Sequence, residues 1–269
     1  MNKSELINRI ERMNITIIGG GAMGGAVARG LLRANAVRPS DLTVANPHTD
    51  KLSDLAAQGV NVTTSNADAA RGADIIIVAV KPWMVSNVIA DIESAIIPDR
   101  TELCFILAGV KGSELEGMFS AARPENISIA MPNTAMTVSK SMTFIVPVCG
   151  AHDRTLKLFE PLGKVMVISE RLLPGATALA SCGIAYAMRY VRAASEGGVE
   201  LGFRASEAQA IVTQTLAGAV ALLSLPGAHP ETEIDKVTTP GGLTIRGLNA
   251  MEREGFTTAV IEGLKASAL

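Results

Sequence analysis

Residues 13–24 read Met-Asn-Ile-Thr-Ile-Ile-Gly-Gly-Gly-Ala-Met-Gly, an apolar run that ends in the pattern Gly19-x-Gly21-x-x-Gly24. The apolar run predicts a strand, and residues 26–32 predict a helix, so the glycines would form the turn between them. In such a turn Gly19 permits the sharp bend, Gly21 lets the backbone approach a pyrophosphate, and Gly24 lets the helix pack closely on the strand. The stretch therefore favours a dinucleotide site over an ordinary glycine-rich turn.

Strand and helix patterns alternate through the first part of the chain. Strand patterns cover residues 14–18, 41–45, 74–80, 102–107, 126–130, 142–148 and 165–168. Helical patterns lie between them, at 22–34, 51–57, 84–96, 113–121 and 153–162. Residues 75–80 are apolar without alternation, as in a strand that is buried on both faces. This order predicts an α/β protein with a Rossmann-type, doubly wound parallel sheet.

The character of the chain changes near Ser169, after which strand patterns disappear. Two long helices are expected at 183–201 and 206–225, and the second is apolar nearly all round, so that neighbours must bury it. We therefore expect a dinucleotide-binding domain at 13–168 and an all-helical domain at 169–269. There are more apolar faces than one small bundle covers, which favours burial against a second subunit over a self-contained bundle.

Composition narrows the class of partner. The chain has 269 residues, of which 48% are hydrophobic, 19% charged and 3% aromatic, and its net charge is -2. Without a basic block or an aromatic stacking surface, we expect no nucleic-acid partner. The longest apolar runs are too short to span a bilayer, and the polar residues 1–12 lack the core of a secretion signal, so no membrane association is expected.

The cysteines and histidines indicate neither a disulfide framework nor a metal site. Cys104, Cys149 and Cys182 are odd in number and widely spaced, and the three histidines are scattered. This pattern argues against disulfides and against zinc, and it favours a reducing, cytoplasmic setting.

The choice between dinucleotides depends on the end of the second strand. NAD enzymes place an acid about 20 residues after the glycines, on the ribose hydroxyls. At this position the chain has Asn46, which is neutral, and Lys51 lies nearby in the sequence. This pair is more compatible with a 2′-phosphate than a carboxylate would be. NADPH is therefore expected, with NADH as the alternative if Asp50 takes the acidic role. No arginine is placed in the sequence to clamp the phosphate.

Four further stretches carry small or rigid residues where sites are built. Three follow strands: Ala-Val-Lys-Pro at 79–82, Leu-Ala-Gly-Val at 107–110 and Met-Pro-Asn-Thr at 131–134. Rossmann enzymes build their sites at such carboxyl ends. The fourth, Val-Thr-Thr-Pro-Gly-Gly-Leu-Thr-Ile at 237–245, leads into a helix whose free N–H groups would hold a carboxylate. Taken alone, each of these four stretches has the composition of an ordinary loop.

Together and in this order, these stretches resemble the pyrroline-5-carboxylate reductase family. The resemblance begins at Met13 and covers nearly the whole chain. Its most specific parts are Gly19-x-Gly21-x-Met23-Gly24, Val80-Lys81-Pro82, Met131-Pro132-Asn133-Thr134, Thr239-Pro240-Gly241-Gly242-x-Thr244-Ile245 and the tail Leu248-x-x-Met251-Glu252-x-x-Gly255-Phe256.

The resemblance implies the NAD(P)H-dependent reduction of 1-pyrroline-5-carboxylate to L-proline, the last step of proline biosynthesis. It implies a Rossmann domain followed by a helical dimerisation domain, in a homodimer or a higher homo-oligomer. The site would lie between the cofactor and the partner's helical domain.

The resemblance also implies site residues, position by position. The cofactor residues would be Gly19, Gly21, Ala22, Met23, Gly24, Asn46, His48, Asn66, Val80, Lys81 and Ala108. The substrate residues would be Thr239, Gly242, Leu243 and Thr244, with the Thr244 hydroxyl on the ring nitrogen as the catalytic group. An imine that enters protonated needs no strong acid, so Lys81 is expected to serve the cofactor, and no metal is expected.

The chain departs from the family's pattern near the expected substrate. Ala135 replaces a proline, Cys182 and Ile184 alter the start of the long helix, and Ala130 stands where arginine is frequent. These changes bear on substrate preference and rate, while the fold and the cofactor interpretation are unaffected.

Two other functions stay open at this point. A β-hydroxyacid dehydrogenase-like enzyme would need a lysine acid on the helix at 183–201, which carries Arg189 and Arg192 but no lysine. A non-catalytic, NADP-binding regulatory protein is the second alternative, because a fold does not fix a function.

Overall fold

The computed structural model describes residues 13–120 and 124–268, which form two compact units. The first unit ends at Ser181 and the second begins at Cys182. The sequence predicts a boundary at 168/169, before the segment that links the last strand to the long helices. The N-terminal residues 1–12, and the end of the helix expected at 113–121, lie outside the described residues.

An eight-stranded sheet forms the first unit, in the order β3-β2-β1-β4-β5-β6-β7-β8. Its strands are β1 (Ile15–Ile18), β2 (Leu42–Ala45), β3 (Asn61–Thr63), β4 (Ile75–Val78), β5 (Glu102–Phe105), β6 (Asn126–Met131), β7 (Ser141–Cys149) and β8 (Gly163–Val167). The order reverses at β1, which pairs with β2 on one side and with β4 on the other. The doubly wound sheet expected from the sequence is thereby confirmed.

Helices connect the strands of the first unit, and one more helix follows the last strand. They are α1 (Ala22–Arg33), α2 (Ser53–Ala56), α3 (Asn66–Ala70), α4 (Val85–Ile92), α5 (Gly112–Gly117), α6 (Asp153–Phe159) and α7 (Leu173–Ala176). A 3-10 turn at Thr49–Leu52 precedes α2, and a π-helical segment, Thr177–Cys182, follows α7.

Two apolar cores lie on opposite faces of the sheet. Successive residues of β4 alternate between them, with Ile75 and Ile77 in one core and Ile76 and Val78 in the other. Helices α1 and α6 cover the first face, and α4 and α5 cover the second. Within the non-alternating run at 75–80, residues Ile75–Val78 form a strand that is buried on both faces, as predicted, while Ala79 and Val80 follow it and line the cavity described below.

The sheet differs from the expected parallel one at its far edge. Strand β7 runs antiparallel to β6, while β8 is parallel to β7. The cause is the connection between β6 and β7, which holds only a 3-10 segment, Thr134–Val138, and therefore cannot make the crossover that a parallel pair needs. Strand β3 and helix α3 have no counterpart in the sequence prediction.

A buried acid anchors the amino ends of the strands. Glu102, at the start of β5, accepts hydrogen bonds from the N–H groups of Arg154 and Thr155 at 3.2 and 2.8 Å. The Thr155 hydroxyl donates to the same carboxylate at 2.6 Å. These N–H groups belong to the first turn of α6 and have no partner within the helix. Glu102 therefore caps α6 from the neighbouring sheet.

Next to this acid lies a cysteine without chemical reactivity. Burial raises the pKa of the Cys104 thiol to about 12, since the thiolate would have no water around it. The thiol stays protonated at neutral pH, and Cys104 is a core residue.

The described residues of the second unit, 182–268, form five helices. They are α8 (Gly183–Glu200), α9 (Ala205–Leu223), α10 (Pro230–Lys236), α11 (Leu243–Arg253) and α12 (Phe256–Ala266). Helices α8 and α9 pack closely where a Cβ on Gly198 would lie 2.8 Å from the Cβ of Ala208. Among the described residues from 182 to 268, Ala208 alone is buried. Many apolar side chains of these helices, among them Ile211, Val220 and Leu222, are exposed within the single chain.

We predict that Glu102→Ala destabilises the first unit by about 1–3 kcal/mol, because the N–H groups of Arg154 and Thr155 lose their acceptor, and that of Thr155 is buried. Urea denaturation of the two proteins measures the difference. The control is Glu125→Ala, since Glu125 is exposed. Equal stability of both variants would show that the cap contributes nothing.

Candidate functional site

A cavity of ≈ 500 Å³ opens in the first unit at the carboxyl ends of β1, β2, β4 and β5. Its walls include Gly19 after β1, Asn46 after β2, Val80 after β4 and Ala108 after β5. Because β2 and β4 flank β1, the cavity lies where the strand order reverses. Open α/β sheets bind their ligands at this switch point.

Two of the three motif glycines are required by the fold itself. Gly19 has a φ of +98°, and a Cβ on it would lie 2.5 Å from the carbonyl oxygen of Ala79. A Cβ on Gly24 would lie 2.1 Å from the carbonyl oxygen of Gly19. Any side chain at either position would separate α1 from the sheet.

Gly21 is different, because the fold does not need a glycine there. Its φ is -73°, and a Cβ on it would meet nothing within 4 Å. Gly21 nevertheless lines the cavity, immediately before the first turn of α1. The missing side chain thus leaves room for a ligand beside a helix N-terminus.

The first turn of α1 offers hydrogen-bond donors to that ligand. The first bond within the helix runs from the N–H of Gly25 to the carbonyl oxygen of Gly21, at 2.9 Å. The preceding N–H groups, of Ala22, Met23 and Gly24, have no partner inside the helix, and no acid occupies this turn. Donors of this kind, with the helix dipole, favour a phosphate.

The loop after β2 contributes neutral groups to the cavity. The Asn46 side chain donates to the carbonyl oxygen of His48 at 2.8 Å, which holds the loop in a tight turn. Thr64 and Asn66 line the cavity as well, and the Asn66 amide donates to Asp91 at 2.9 Å. Lys81 is the only charged residue among the described residues that line the cavity. The charge and the donors together fit an anionic dinucleotide.

The structure brings together nine of the eleven residues expected to hold the cofactor. Those that line the cavity are Gly19, Gly21, Ala22, Met23, Asn46, Asn66, Val80, Lys81 and Ala108. Gly24 is buried beneath the turn, where it sets the helix against the strand. His48 is exposed and outside the cavity lining.

The sequence patterns did not indicate Thr64 as a cavity residue, because they indicated neither β3 nor α3, between which it lies. A signal for α3 is present in the sequence: Ser65 accepts a hydrogen bond from the N–H of Asp68 at 3.1 Å. A Ser followed three residues later by an acid is a helix-start pattern. Applied at Ser65, that pattern would have placed Thr64 and Asn66 at the strand-to-helix turn.

The Met-Pro-Asn-Thr turn after β6 is fixed by Asn133. Its Oδ1 accepts from the N–H of Ala135 at 3.1 Å, and its amide donates to the carbonyl oxygen of Ala180 at 3.2 Å. The Ser181 hydroxyl donates to the carbonyl oxygen of Pro132 at 3.4 Å. This turn is thus held against the π-helical segment, a form of helix that is frequent at functional sites.

The four residues expected to bind the substrate share one turn of the second unit. The N–H of Gly242 donates to the carbonyl oxygen of Thr239 at 2.9 Å, and Gly241 has a φ of +68°. Leu243 and Thr244 then begin α11, and both are exposed. No acid occupies the first turn of α11, so its free N–H groups fit a carboxylate.

The described residues contain neither a cluster of metal ligands nor a helix that could span a membrane. They hold no group of three or more His, Cys, Asp or Glu side chains that would bind a metal ion. None of their helices has both the length and the hydropathy that crossing a membrane requires.

Family models match both units of the chain. A model described as pyrroline-5-carboxylate reductase dimerisation matches residues 170–269. A model described as NADP oxidoreductase, coenzyme F420-dependent, matches residues 14–100, which contain the glycine turn.

Relatives extend the match over the whole chain. Pyrroline-5-carboxylate reductase 2 of Dictyostelium discoideum is 34% identical over 275 residues, covering 95% of this chain and 91% of the relative. Pyrroline-5-carboxylate reductase 1 of the same organism is 37% identical over 94% of this chain, which spans only 48% of that longer protein.

A solved structure is similar over both units. It is the crystal structure of Plasmodium falciparum pyrroline carboxylate reductase with NADP bound, which is 27% identical and has a TM-score of 0.84. The match covers 96% of each chain.

We predict that Gly21→Ala weakens NADPH binding about tenfold or more, ~1.4 kcal/mol, because the methyl group enters the space beside the helix N-terminus. Stability should be unchanged, since that methyl group meets no protein atom. Calorimetric titration measures the affinity. The control is Gly117→Ala, another glycine with open space around its Cβ position. NADPH affinity that is the same in both variants would show that the glycine turn does not hold the pyrophosphate.

Proposed function

The chain belongs to the pyrroline-5-carboxylate reductase family, and from that premise we propose which of its residues carry out the reaction. The protein is an NADP(H)-dependent oxidoreductase that reduces 1-pyrroline-5-carboxylate to L-proline. In this structure, Gly21 is the residue that most directly supports a dinucleotide cofactor. It is a glycine that the fold does not need, placed between a helix N-terminus and the cavity.

The glycine turn would hold the pyrophosphate and Asn46 the adenosine ribose. Lys81 supplies the one positive charge in the described lining of the cavity, which offsets the phosphate charge. Val80, Ala108 and Met131 form small apolar walls that would exclude water from the reacting end of the cofactor. Bound NADPH supplies the hydride that the reduction needs.

The turn at the start of α11 would hold the substrate. The N–H groups of Leu243 and Thr244 are free to bind its carboxylate, and the Thr244 hydroxyl would accept a hydrogen bond from the protonated ring nitrogen. The proton would thus stay on that nitrogen while the carbon of the C=N bond is reduced. No acid from the protein is required, because the product amine keeps the proton that the imine brought.

NADPH is proposed as the preferred form of the cofactor. No carboxylate lines the described part of the cavity near Asn46, so nothing there repels a 2′-phosphate. NADH remains usable, since the pyrophosphate and both riboses are common to the two cofactors.

Assembly into a homodimer or a higher homo-oligomer is proposed for the helical unit. Its apolar side chains are uncovered in the single chain, and the dimerisation model matches residues 170–269. We also place the enzyme in a reducing compartment, the cytoplasm. The support is that Cys104, Cys149 and Cys182 are all unpaired thiols.

The assay that tests this function compares substrates of two chemical classes. We expect NADPH oxidation with 1-pyrroline-5-carboxylate, and no NADP⁺ reduction with a panel of 2- and 3-hydroxyacids. Activity on the hydroxyacids alone would support a β-hydroxyacid dehydrogenase, although α8 carries Arg189 and Arg192 and no lysine. Cofactor binding without any turnover would support a regulatory protein.

Thr244→Ala is expected to lower turnover about tenfold to a hundredfold, the effect of one hydrogen bond that strengthens in the transition state. NADPH affinity should barely change. Steady-state kinetics with the imine measures the loss. Thr257→Ala serves as the control, because the Thr257 hydroxyl bonds to Glu252 on the same unit. A Thr244→Ala enzyme with normal turnover would place the substrate elsewhere.

Val220→Glu should dissociate or aggregate the oligomer, because a charge on an apolar face must be desolvated there. Val220 is 62% exposed in the single chain, so the subunit itself should tolerate the change. Sedimentation at micromolar concentration measures the state. The control is Val138→Glu, which makes the same change at a valine of the first unit that is 61% exposed. It should leave the oligomeric state unchanged. A native protein that sediments as a monomer would contradict the proposed assembly.

A further inference from the structure

An arginine of α1, outside the cavity lining itself, makes a two-point ion pair with an acid of α2. The Arg29 Nε lies 2.7 Å from one carboxylate oxygen of Asp54, and its Nη2 lies 2.8 Å from the other. Bidentate pairs of this kind fix the orientation of the guanidinium. The hydrogen bond from Arg29 holds the pKa of the Asp54 carboxyl below its usual range, so both groups are charged at neutral pH.

The guanidinium lies beside the first turn of α1. Its third nitrogen, Nη1, is 2.7 Å from the position that a Cβ on Gly25 would take, and that position is 3.1 Å from the carbonyl oxygen of Gly20. Side chains on a helix tilt toward its N-terminus, which carries Arg29 back by one turn. The charge is thereby placed next to the glycine turn, whose Gly19 and Gly21 line the cavity.

Asp54 connects the same guanidinium to the loop after β2. It lies in α2, which follows the 3-10 turn Thr49–Leu52. The Leu52 side chain is 2.8 Å from the position of a Cβ on Gly20, so this segment packs against the glycine turn. The ion pair therefore lies where the loop after β2 meets the glycine turn. Rossmann proteins hold the adenosine ribose, with its 2′ substituent, in this corner.

Stability alone gives little reason for the pair. The two side chains are 37% and 49% exposed, and ion pairs so open to solvent contribute little to folding. Two of the guanidinium nitrogens bond to Asp54, and Nη1 has no acceptor among the described residues, so that it can donate to a ligand. An arginine that is oriented by a carboxylate and has one donor free is well suited to bind a phosphate.

We propose that Arg29, oriented by Asp54, is the residue that selects NADPH over NADH by binding the 2′-phosphate. This inference rests on the proposed cofactor and supplies the arginine that the sequence around Asn46 lacks. Arg29 is remote from the end of β2 in the sequence, and the fold of α1 against α2 brings it there. NADH offers no 2′-phosphate, so its binding should be indifferent to Arg29.

The test measures binding rather than activity. Trp83 is the only tryptophan of the chain, and its neighbours Pro82 and Met84 line the cavity. Because its emission overlaps the absorption of reduced nicotinamide, quenching of Trp83 fluorescence reports the binding of NADPH and NADH separately. We expect Arg29→Gln to weaken NADPH binding about threefold to tenfold, as for one charged hydrogen bond at a half-exposed site, and to leave NADH binding unchanged.

A double variant separates direct contact from a structural role. In Arg29→Gln/Asp54→Asn the two amides still bond to each other, but neither is charged. NADPH binding should stay at least about threefold weaker than in the native protein. Recovery of native NADPH affinity in the double variant would show that Arg29 only neutralises Asp54, and would overturn the proposal.

The control is Arg33→Gln, an exposed arginine one turn further along α1, which should bind both cofactors normally. Equal weakening of NADPH and NADH by Arg29→Gln would also overturn the proposal, since the effect would then be on the shape of the turn. A native protein that binds neither cofactor would overturn the proposed function together with this inference. Normal native binding with an unaffected Arg29→Gln variant would overturn this inference alone.

Discussion

The close approach of helix α1 to the strands beneath it is the constraint on which the site depends. A Cβ at Gly24 would lie 2.1 Å from the carbonyl oxygen of Gly19, and one at Gly19 would lie 2.5 Å from that of Ala79. Only glycine at both positions lets the chain leave β1 and enter α1 without moving away from β4. That geometry directs the free N–H groups of α1 toward the edge of the sheet, and it leaves Gly21 open on the cavity side.

Stability and chemistry occupy opposite edges of this sheet. At the amino ends of the strands, Glu102 joins β5 to α6 through two backbone N–H groups and the Thr155 hydroxyl. At the carboxyl ends, backbone donors and Lys81 converge on a cavity with apolar walls. Strands β1–β6 create this division, because they are parallel and end on the same side. The proposed substrate segment of the second unit is likewise built from a turn and a helix N-terminus, so the same backbone device would serve both ligands.

Local patterns in the sequence predicted those parts of the structure that depend on local chemistry. The glycine turn, the strand Ile75–Val78 that is buried on both faces and the turn before α11 all follow from neighbouring residues. What was missed depends on short or distant features. Strand β3 has three residues, too few for a periodic pattern, and the antiparallel β7 follows from a connection without a helix. Arg29 was missed because its approach to the loop after β2 exists only once α1 and α2 have packed.

This chain reduces a cyclic imine by delivering a hydride from NADPH to the carbon of its C=N bond. The most direct measurement uses NADPH that carries deuterium at the transferable position, with 1-pyrroline-5-carboxylate as the acceptor. We expect one deuterium in proline for each NADPH oxidised, on the ring carbon that was double-bonded to nitrogen in the imine. Oxidation of NADPH without deuterium in proline, or no oxidation with this imine, would contradict it.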